Sequence, residues 1–194
     1  VIVNFFTMFF GFICMFIMYG AQQYTKAFGL TNAGLTEMQS AGLTSIYTFG
    51  SMVAVLFWAV MMGKLRWNPL KVLFIDTVFI ALALGMVLVI QHVVVIYISI
   101  AFLGFFAAGG ALQTGLGVRQ MFCPGPKGRN TGIYYTWMGL ASTFLPYIVA
   151  SMTRSVGETQ AIFIMMGLLL AAAVLAIVMM VYLLLQHKRV FGYS

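Results

Sequence analysis

Residues 161–185 read AIFIMMGLLLAAAVLAIVMMVYLLL, an apolar run without a charged side chain. A bilayer's hydrocarbon core is crossed by about 20 helical residues at 1.5 Å per residue, so this run is long enough to span it. A membrane β-strand would instead alternate apolar and polar residues over about 10 positions. The run therefore predicts a membrane-spanning α-helix.

The rest of the chain has the same character. Of its 194 residues, 63% are hydrophobic and 7% are charged, whereas a soluble domain carries about 25% charged residues. Too few polar side chains remain to cover a water-facing surface. The two cysteines, Cys14 and Cys123, are too few for a disulfide framework and lack metal-ligand neighbours. We therefore expect free thiols, no metal site and no cofactor.

Six such apolar segments predict an all-α integral membrane fold, with six transmembrane helices in one domain, residues 1–194. The predicted spans are 3–24, 40–62, 70–90, 93–118, 131–152 and 161–185. The links between them are short, so we expect one bundle without a soluble domain. Because the first span begins almost at residue 1, without an initiator Met, we expect the chain to be part of something longer.

Basic residues concentrate on one side of this predicted bundle. Eight of the ten lie where spans 2 and 3 join, where spans 4 and 5 join, and after span 6: Lys64, Arg66, Lys71, Arg119, Lys127, Arg129, Lys188 and Arg189. Only Lys26 and Arg154 fall on the other side. Basic loops stay in the cytoplasm, so both termini are predicted to be cytoplasmic. The positive charge is thus a topology signal, and no nucleic acid partner is expected.

The links carry the most specific motifs. GKLRWNPLK (63–71) and FCPGPKGRNTG (122–132) are short, basic and interrupted by Gly and Pro. The second lies between GFFAAGGALQTGL (104–116) and a helix that contains FLPYIVASM (144–152). Glycine at the end of a helix and prolines in a link predict tight helix reversals.

These motifs resemble those of the major facilitator superfamily. Gly63 and Lys71 match the family's G-x-x-x-D-R-x-G-R-R pattern, whereas Trp67, Asn68 and Leu70 depart from it. Residues 102–152 look like spans 10 and 11 of a bacterial member, with its Pro-Lys-Gly-x-x-Thr-Gly type of link. The resemblance implies half of a secondary transporter, with the C-terminal half favoured over the N-terminal one. Such a half bundle contains two inverted three-helix repeats, here about 1–91 and 92–194.

The resemblance implies transport of a small solute across the inner membrane by alternating access. The implied partners are the lipid bilayer, a small-molecule substrate and the other six-span half, either an upstream part or a second copy. A non-transporting six-span scaffold or assembly subunit, and a half-size transporter that dimerises, remain as alternatives. No nucleophile–base pair of a membrane protease and no phosphate loop is present, so an enzyme is not expected.

Candidate site residues follow from where such transporters bind substrate, near the midplane. By resemblance, spans 1 and 4 line the cavity, with spans 2 and 5 beside them. Polar side chains within spans are costly unless they face protein or water. The candidate cavity residues are Tyr19, Gln22, Gln23, Gln113, Tyr135 and Trp137.

Each candidate also has a simpler interpretation. The glutamines of span 1 can meet outside water, and Tyr135 and Trp137 can belong to an interfacial aromatic belt. Gly109 and Gly110 are predicted to serve helix packing.

Asp76 is the only acidic residue within a predicted span. It lies about 7 Å along the helix from Lys71, which predicts a position close to the cytoplasmic interface. There we expect a charge pair with Arg119 or Lys71; a proton relay is the alternative. No carboxylate is then expected at the midplane of this half. If transport is coupled to protons, the titrating group is expected in the other half.

Overall fold

Six helices make up nearly all of residues 2–191, the part of the chain that the computed structural model describes, with side chains described for residues 2–189. They are α1 (Ile2–Thr31), α2 (Glu37–Gly63), α3 (Pro69–Val89), α4 (Val93–Phe122), α5 (Lys127–Val156) and α6 (Glu158–Phe191). Each predicted span lies within one of these helices or within one residue of its ends. The predicted all-helical fold is confirmed for this part of the chain.

Five of the six helices, all except α5, are long and apolar enough to cross a membrane. α5 is 30 residues long, about 45 Å at 1.5 Å per residue, so its length is sufficient. Its composition is more polar than that of the other helices. The predicted count of six spans therefore depends on α5.

The helices pack as a single bundle around α1 and α4. α1 contacts α2, α4, α5 and α6, whereas α3 packs against α4 and α6. The links are only one to five residues long, so consecutive helices run in opposite directions. We call the end that holds the start of α1, the α2–α3 and α4–α5 links and the last turn of α6 the basic end.

Contacts between distant parts of the chain define both ends of the bundle. At the basic end, Arg119 of α4 donates a hydrogen bond to the side-chain oxygen of Asn4 in α1 (3.2 Å). At the opposite end, the Asn32 amide donates to Thr159 O (3.2 Å). The eight basic residues counted above thus lie in the helix ends and links of one end.

Local chemistry explains where several helices begin and end. Thr36 caps α2 in a reciprocal capping box with Gln39, and Asn68 caps α3 just ahead of Pro69; both arrangements satisfy free backbone N–H groups. Gly63 is the last residue of α2, as expected. However, the left-handed residue of this link is Arg66 (φ 50°), and a Cβ added at Gly63 would meet nothing within 4 Å.

α4 changes its hydrogen-bond pattern in the middle of the bundle. Gly104–Ala111 form a π-helical segment, and the Leu112 N–H donates to the carbonyl of Ala107 five residues back. π-helical segments are rare and recur at functional sites. This segment lies against α2, because a Cβ added at Gly104 would overlap the backbone of Tyr47.

Candidate substrate cavity and polar groups of the bundle

Aromatic rings line one face of α1. The rings of Phe5 and Phe9 stack at 5.8 Å between centroids, those of Phe9 and Phe12 at 5.6 Å, and those of Phe12 and Phe16 at 6.3 Å. Their spacing of three and four residues keeps them on one side of a helix. We call Phe5, Phe9, Phe12 and Phe16 the aromatic stripe. Its rings are half-buried or exposed, so the described helices leave it partly uncovered.

Trp137 joins this stripe from α5. Its indole meets the rings of Phe9 and Phe12 edge-on, at 6.2 Å and 6.5 Å. Edge-to-face contacts of this kind are favourable beyond the area that they bury. The structure therefore brings one predicted cavity residue into contact with α1.

The stripe continues into the polar candidates of α1. Tyr19 follows Phe16 by three residues and Gln23 follows Tyr19 by four, so the same helix face changes from aromatic to polar. Tyr19 is half-buried, and Gln22 and Gln23 are exposed. This face therefore offers hydroxyl and amide groups toward the end opposite the basic end.

Gln113 and Tyr135 lie at a different depth. The Cys14 sulfur is 3.9 Å from Ala111 O and marks a level that α1 and α4 share. Tyr19 lies about 7.5 Å from that level toward one end, whereas Gln113 lies about 3 Å from it toward the basic end. Gln113 and Tyr135 are exposed, and neither makes a described contact with the aromatic stripe.

Gly109 and Gly110 lie where α4 meets two other helices. A Cβ added at Gly109 would collide with Ala54 of α2 and would be 2.7 Å from Ser51 O. A Cβ added at Gly110 would be 2.6 Å from both carboxylate oxygens of Asp76 in α3. Both glycines are buried, and any side chain at either position would displace a neighbour.

The predicted charge pair of Asp76 is wrong. Asp76 is fully buried, and neither carboxylate oxygen has a hydrogen-bond partner among the described residues. Lys71 is exposed at the start of α3, and Arg119 bonds other groups. Gly110, which the carboxyl touches, lies about 18 Å from the end of α4 at Phe122, and Asp76 itself lies about 10 Å from the start of α3 at Pro69. The carboxyl thus lies deep in the bundle.

Arg119 has a set of partners that sequence reasoning missed. Its Nη1 donates to Asn4 O (3.4 Å), Asn4 Oδ1 (3.2 Å) and Thr7 Oγ1 (3.2 Å), and its Nε donates to Asn130 O (3.3 Å). The side chain is 1% exposed. It therefore joins α4 to the start of α1 and the start of α5 through neutral oxygens.

Tyr134 is a second residue whose place the sequence did not predict. It lies between α1 and α4, 1% exposed, where Gly11 and Gly115 leave room for its ring. In the sequence, a Tyr beside another Tyr near a basic link indicates only a position at the membrane interface. Its burial depends on two glycines from two other helices, α1 and α4. Among the described residues, no three His, Cys, Asp or Glu side chains come close enough to hold a metal ion.

The sequence matches the model of a known protein family. The model of the Major Facilitator Superfamily matches residues 1–191. The chain belongs to the major facilitator superfamily. Gly63, Lys71 and the 122–132 link, which suggested the family, all lie at the basic end of the bundle.

Three curated relatives support this membership in the superfamily. Inner membrane transport protein YdiM of Escherichia coli K12 is 33% identical over 151 residues, covering 77% of this chain and 37% of the relative. Inner membrane transport protein YdiN of the same organism is 27% identical over 169 residues, covering 87% and 38%. The uncharacterized MFS-type transporter YfkL of Bacillus subtilis 168 is 28% identical over 173 residues, covering 89% and 42%.

The matches therefore span about two fifths of the length of these superfamily relatives. No solved structure gives a significant match.

Proposed function

We propose that this chain is one half of a major facilitator transporter that moves a small solute across the bacterial inner membrane by alternating access. The observation that carries the proposal is the family match over residues 1–191. Two relatives are named inner membrane transport proteins, and the matched part is 37% to 42% of each relative's length. Membership in this family supports a transport role rather than an enzymatic one.

Six membrane crossings are part of the proposal, and α5 is the sixth. Its polar hydroxyls are satisfied within the helix: Thr136 donates to Gly132 O, Thr143 to Gly139 O and Thr153 to Val149 O, at 2.8 to 2.9 Å. A hydroxyl bonded to its own helix costs less in lipid than a free one. α5 also packs along α1, which shields part of its surface.

We place the basic end in the cytoplasm, with both termini there. The support is the asymmetry of Lys and Arg between the two ends, which sets orientation in multi-span proteins. Two inverted three-helix repeats, about 1–91 and 92–194, remain the proposed internal plan. Trp67 stands where the family pattern has an acidic residue, which supports the C-terminal half.

The proposed substrate cavity is the partly uncovered face of α1 and α4, facing the other half of the transporter. Tyr19, Gln22 and Gln23 would contact substrate from one side of the Cys14–Ala111 level. Gln113, Tyr135 and Trp137 would contact it from the basic-end side. These groups are amides, phenols and an indole, so the proposed contacts are hydrogen bonding and aromatic stacking.

The test is a flux assay on the complete transporter in proteoliposomes, with a panel of radiolabelled sugars, amino acids and organic acids. For a solute that the wild type carries, Gln113→Ala should lower the flux while the amount of folded protein stays unchanged. Gln91→Ala is the matched control, because Gln91 is an exposed glutamine in the α3–α4 link. Equal flux for Gln113→Ala and wild type would remove Gln113 from the cavity.

The partner half has its own test. The gene sequence upstream of residue 1 should encode a second six-span block. A start codon there instead would favour a half-size protein whose partner is a second copy, or a scaffold. In that case cross-linking of the protein in membranes would separate dimer from monomer.

A further inference from the structure

Asp76 is buried, and no group in the described part of the chain compensates its charge. Its exposed fraction is zero, and neither oxygen accepts a hydrogen bond from the described residues. An isolated carboxylate in such surroundings is very costly, so the group becomes neutral. In the packed bundle, the carboxyl of Asp76 therefore carries a proton.

Among the side chains described, no other charged group is available to share this site. Arg119 of α4 is held by Asn4, Thr7 and Asn130. Tyr47 of α2 donates its hydroxyl to Met18 O (3.2 Å).

The charged residues and the histidine of α6 lie at its first residue and within its last five residues: Glu158, His187, Lys188 and Arg189. On α1, the thiol of Cys14 is near enough to Asp76 for an electrostatic interaction, and its sulfur is directed at Ala111 O (3.9 Å).

The carboxyl lies against the one stretch of α4 that is not an α-helix. A Cβ at Gly110 would be 2.6 Å from both of its oxygens, and Gly110 lies in the π-helical segment Gly104–Ala111. A side chain at this position would have to displace the acid. The contact between α3 and Gly110 of α4 thus covers part of the buried carboxyl.

We propose that Asp76 and Gly110 form a proton-binding site that is closed when the π-helical segment of α4 packs on α3 and opens when the two helices separate. When they separate, water reaches the carboxyl, takes its proton and leaves a carboxylate. The helices close again only after water returns a proton. The use of this site for coupling rests on the proposed transport function, whereas the site itself does not.

The experiment is infrared spectroscopy of the purified protein in a detergent without ester groups, because lipid esters absorb near protonated acids. Difference spectra between wild type and each variant isolate single carboxyl groups. At neutral pH, Asp76→Asn should remove a carbonyl band of a protonated acid. Glu158→Gln, at an exposed carboxylate, should remove only carboxylate bands. Loss of carboxylate bands in Asp76→Asn would overturn the proposal.

The closing of the site by packing of α4 on α3 is tested with a second pair of variants. Gly110→Ala adds a methyl group at the carboxyl, so the protonated-acid band should weaken and carboxylate bands should appear. Gly117→Ala is the control, because a Cβ there meets nothing within 4 Å. An unchanged band in Gly110→Ala would contradict the proposal that contact between α3 and α4 closes the site. Since none of these spectra depends on flux, failure of the transport proposal would leave this result standing.

Discussion

The Tyr134 hydroxyl of α5 donates a hydrogen bond to the backbone carbonyl of Leu112 in α4, at 3.3 Å. To reach it, the ring passes α1 at Gly11, where a Cβ would be 2.9 Å from two ring carbons. It also passes Gly115 of α4, where a Cβ would collide with the hydroxyl. One side chain therefore joins three helices through a gap that two glycines create.

The first prediction concerns this gap. Gly115→Ala should overpack it and lower the free energy of unfolding by about 1–3 kcal/mol. Tyr134→Ala should cost about 3–5 kcal/mol through the cavity it leaves. Tyr134→Phe should cost about 1 kcal/mol through the lost hydrogen bond.

Unfolding of the purified protein in detergent measures each of these effects. Gly117→Ala lies on the same helix in open surroundings and should change stability little. If Gly115→Ala and Gly117→Ala unfolded alike, the tight packing of Tyr134 would be contradicted.

The second prediction concerns the buried guanidinium of Arg119. Arg119→Ala should lower the free energy of unfolding by at least about 1.5–3 kcal/mol, the value of a hydrogen bond to a charged group. Arg119→Lys should recover only part of this loss, because an ammonium cannot reproduce the guanidinium fork that reaches Asn4 and Asn130 together.

The same unfolding measurement applies to a matched arginine. Arg129 is exposed at the start of α5, and Arg129→Ala should have a small effect. Equal losses at the two positions would mean that the hydrogen bonds of Arg119 do not stabilise the basic end.

The third prediction concerns orientation in the membrane. In a Cys14→Ala, Cys123→Ala background, Lys64→Cys and Lys127→Cys should react with an impermeant thiol reagent only from the cytoplasmic side. Both positions are exposed at the basic end, and basic links remain inside. Right-side-out and inside-out vesicles give the measurement.

Gln91→Cys, exposed in the α3–α4 link, should react from the opposite side. Labelling of Lys64→Cys and Lys127→Cys from different sides would contradict the helix topology itself.

The fourth prediction concerns the aromatic stripe. Trp137→Ala removes the ring that meets Phe9 and Phe12 edge-on, and it should lower solute flux in proteoliposomes by more than it lowers the yield of folded protein. Trp67→Ala, which removes an exposed tryptophan from the α2–α3 link, is its control. Equal flux in the two variants would place Trp137 in the aromatic belt instead of the cavity.

The helices could be predicted from the sequence because the apolar composition of a segment decides whether it forms a membrane-spanning helix. Their ends could not be predicted to the same accuracy. The first predicted span stops at residue 24, whereas α1 continues to Thr31, because buried Phe28 and Gly29 pack against neighbouring helices. Hydropathy contains no information about such packing.

The polar interior was harder to predict for a related reason. The sequence predicts a cationic partner for Asp76 because Lys71 is close in sequence and Arg119 is expected on the same side of the membrane. The depth of Asp76 depends on how α3 lies against Gly110. Two of the partners of Arg119, the neutral groups of Asn4 and Thr7, are more than 100 residues away. No local pattern marks the π-helical segment of α4.

That segment has a geometric consequence for the rest of α4. Successive residues of an α-helix are turned by about 100° around the axis, and a π-helical turn holds more residues than an α-helical one. If residues 104–111 changed from π-helical to α-helical turns, with a shift of one residue, the segment from Leu112 to Phe122 would therefore rotate about the helix axis by roughly that angle. Gln113 would then point in a new direction while the outer half of α4 stayed where it is.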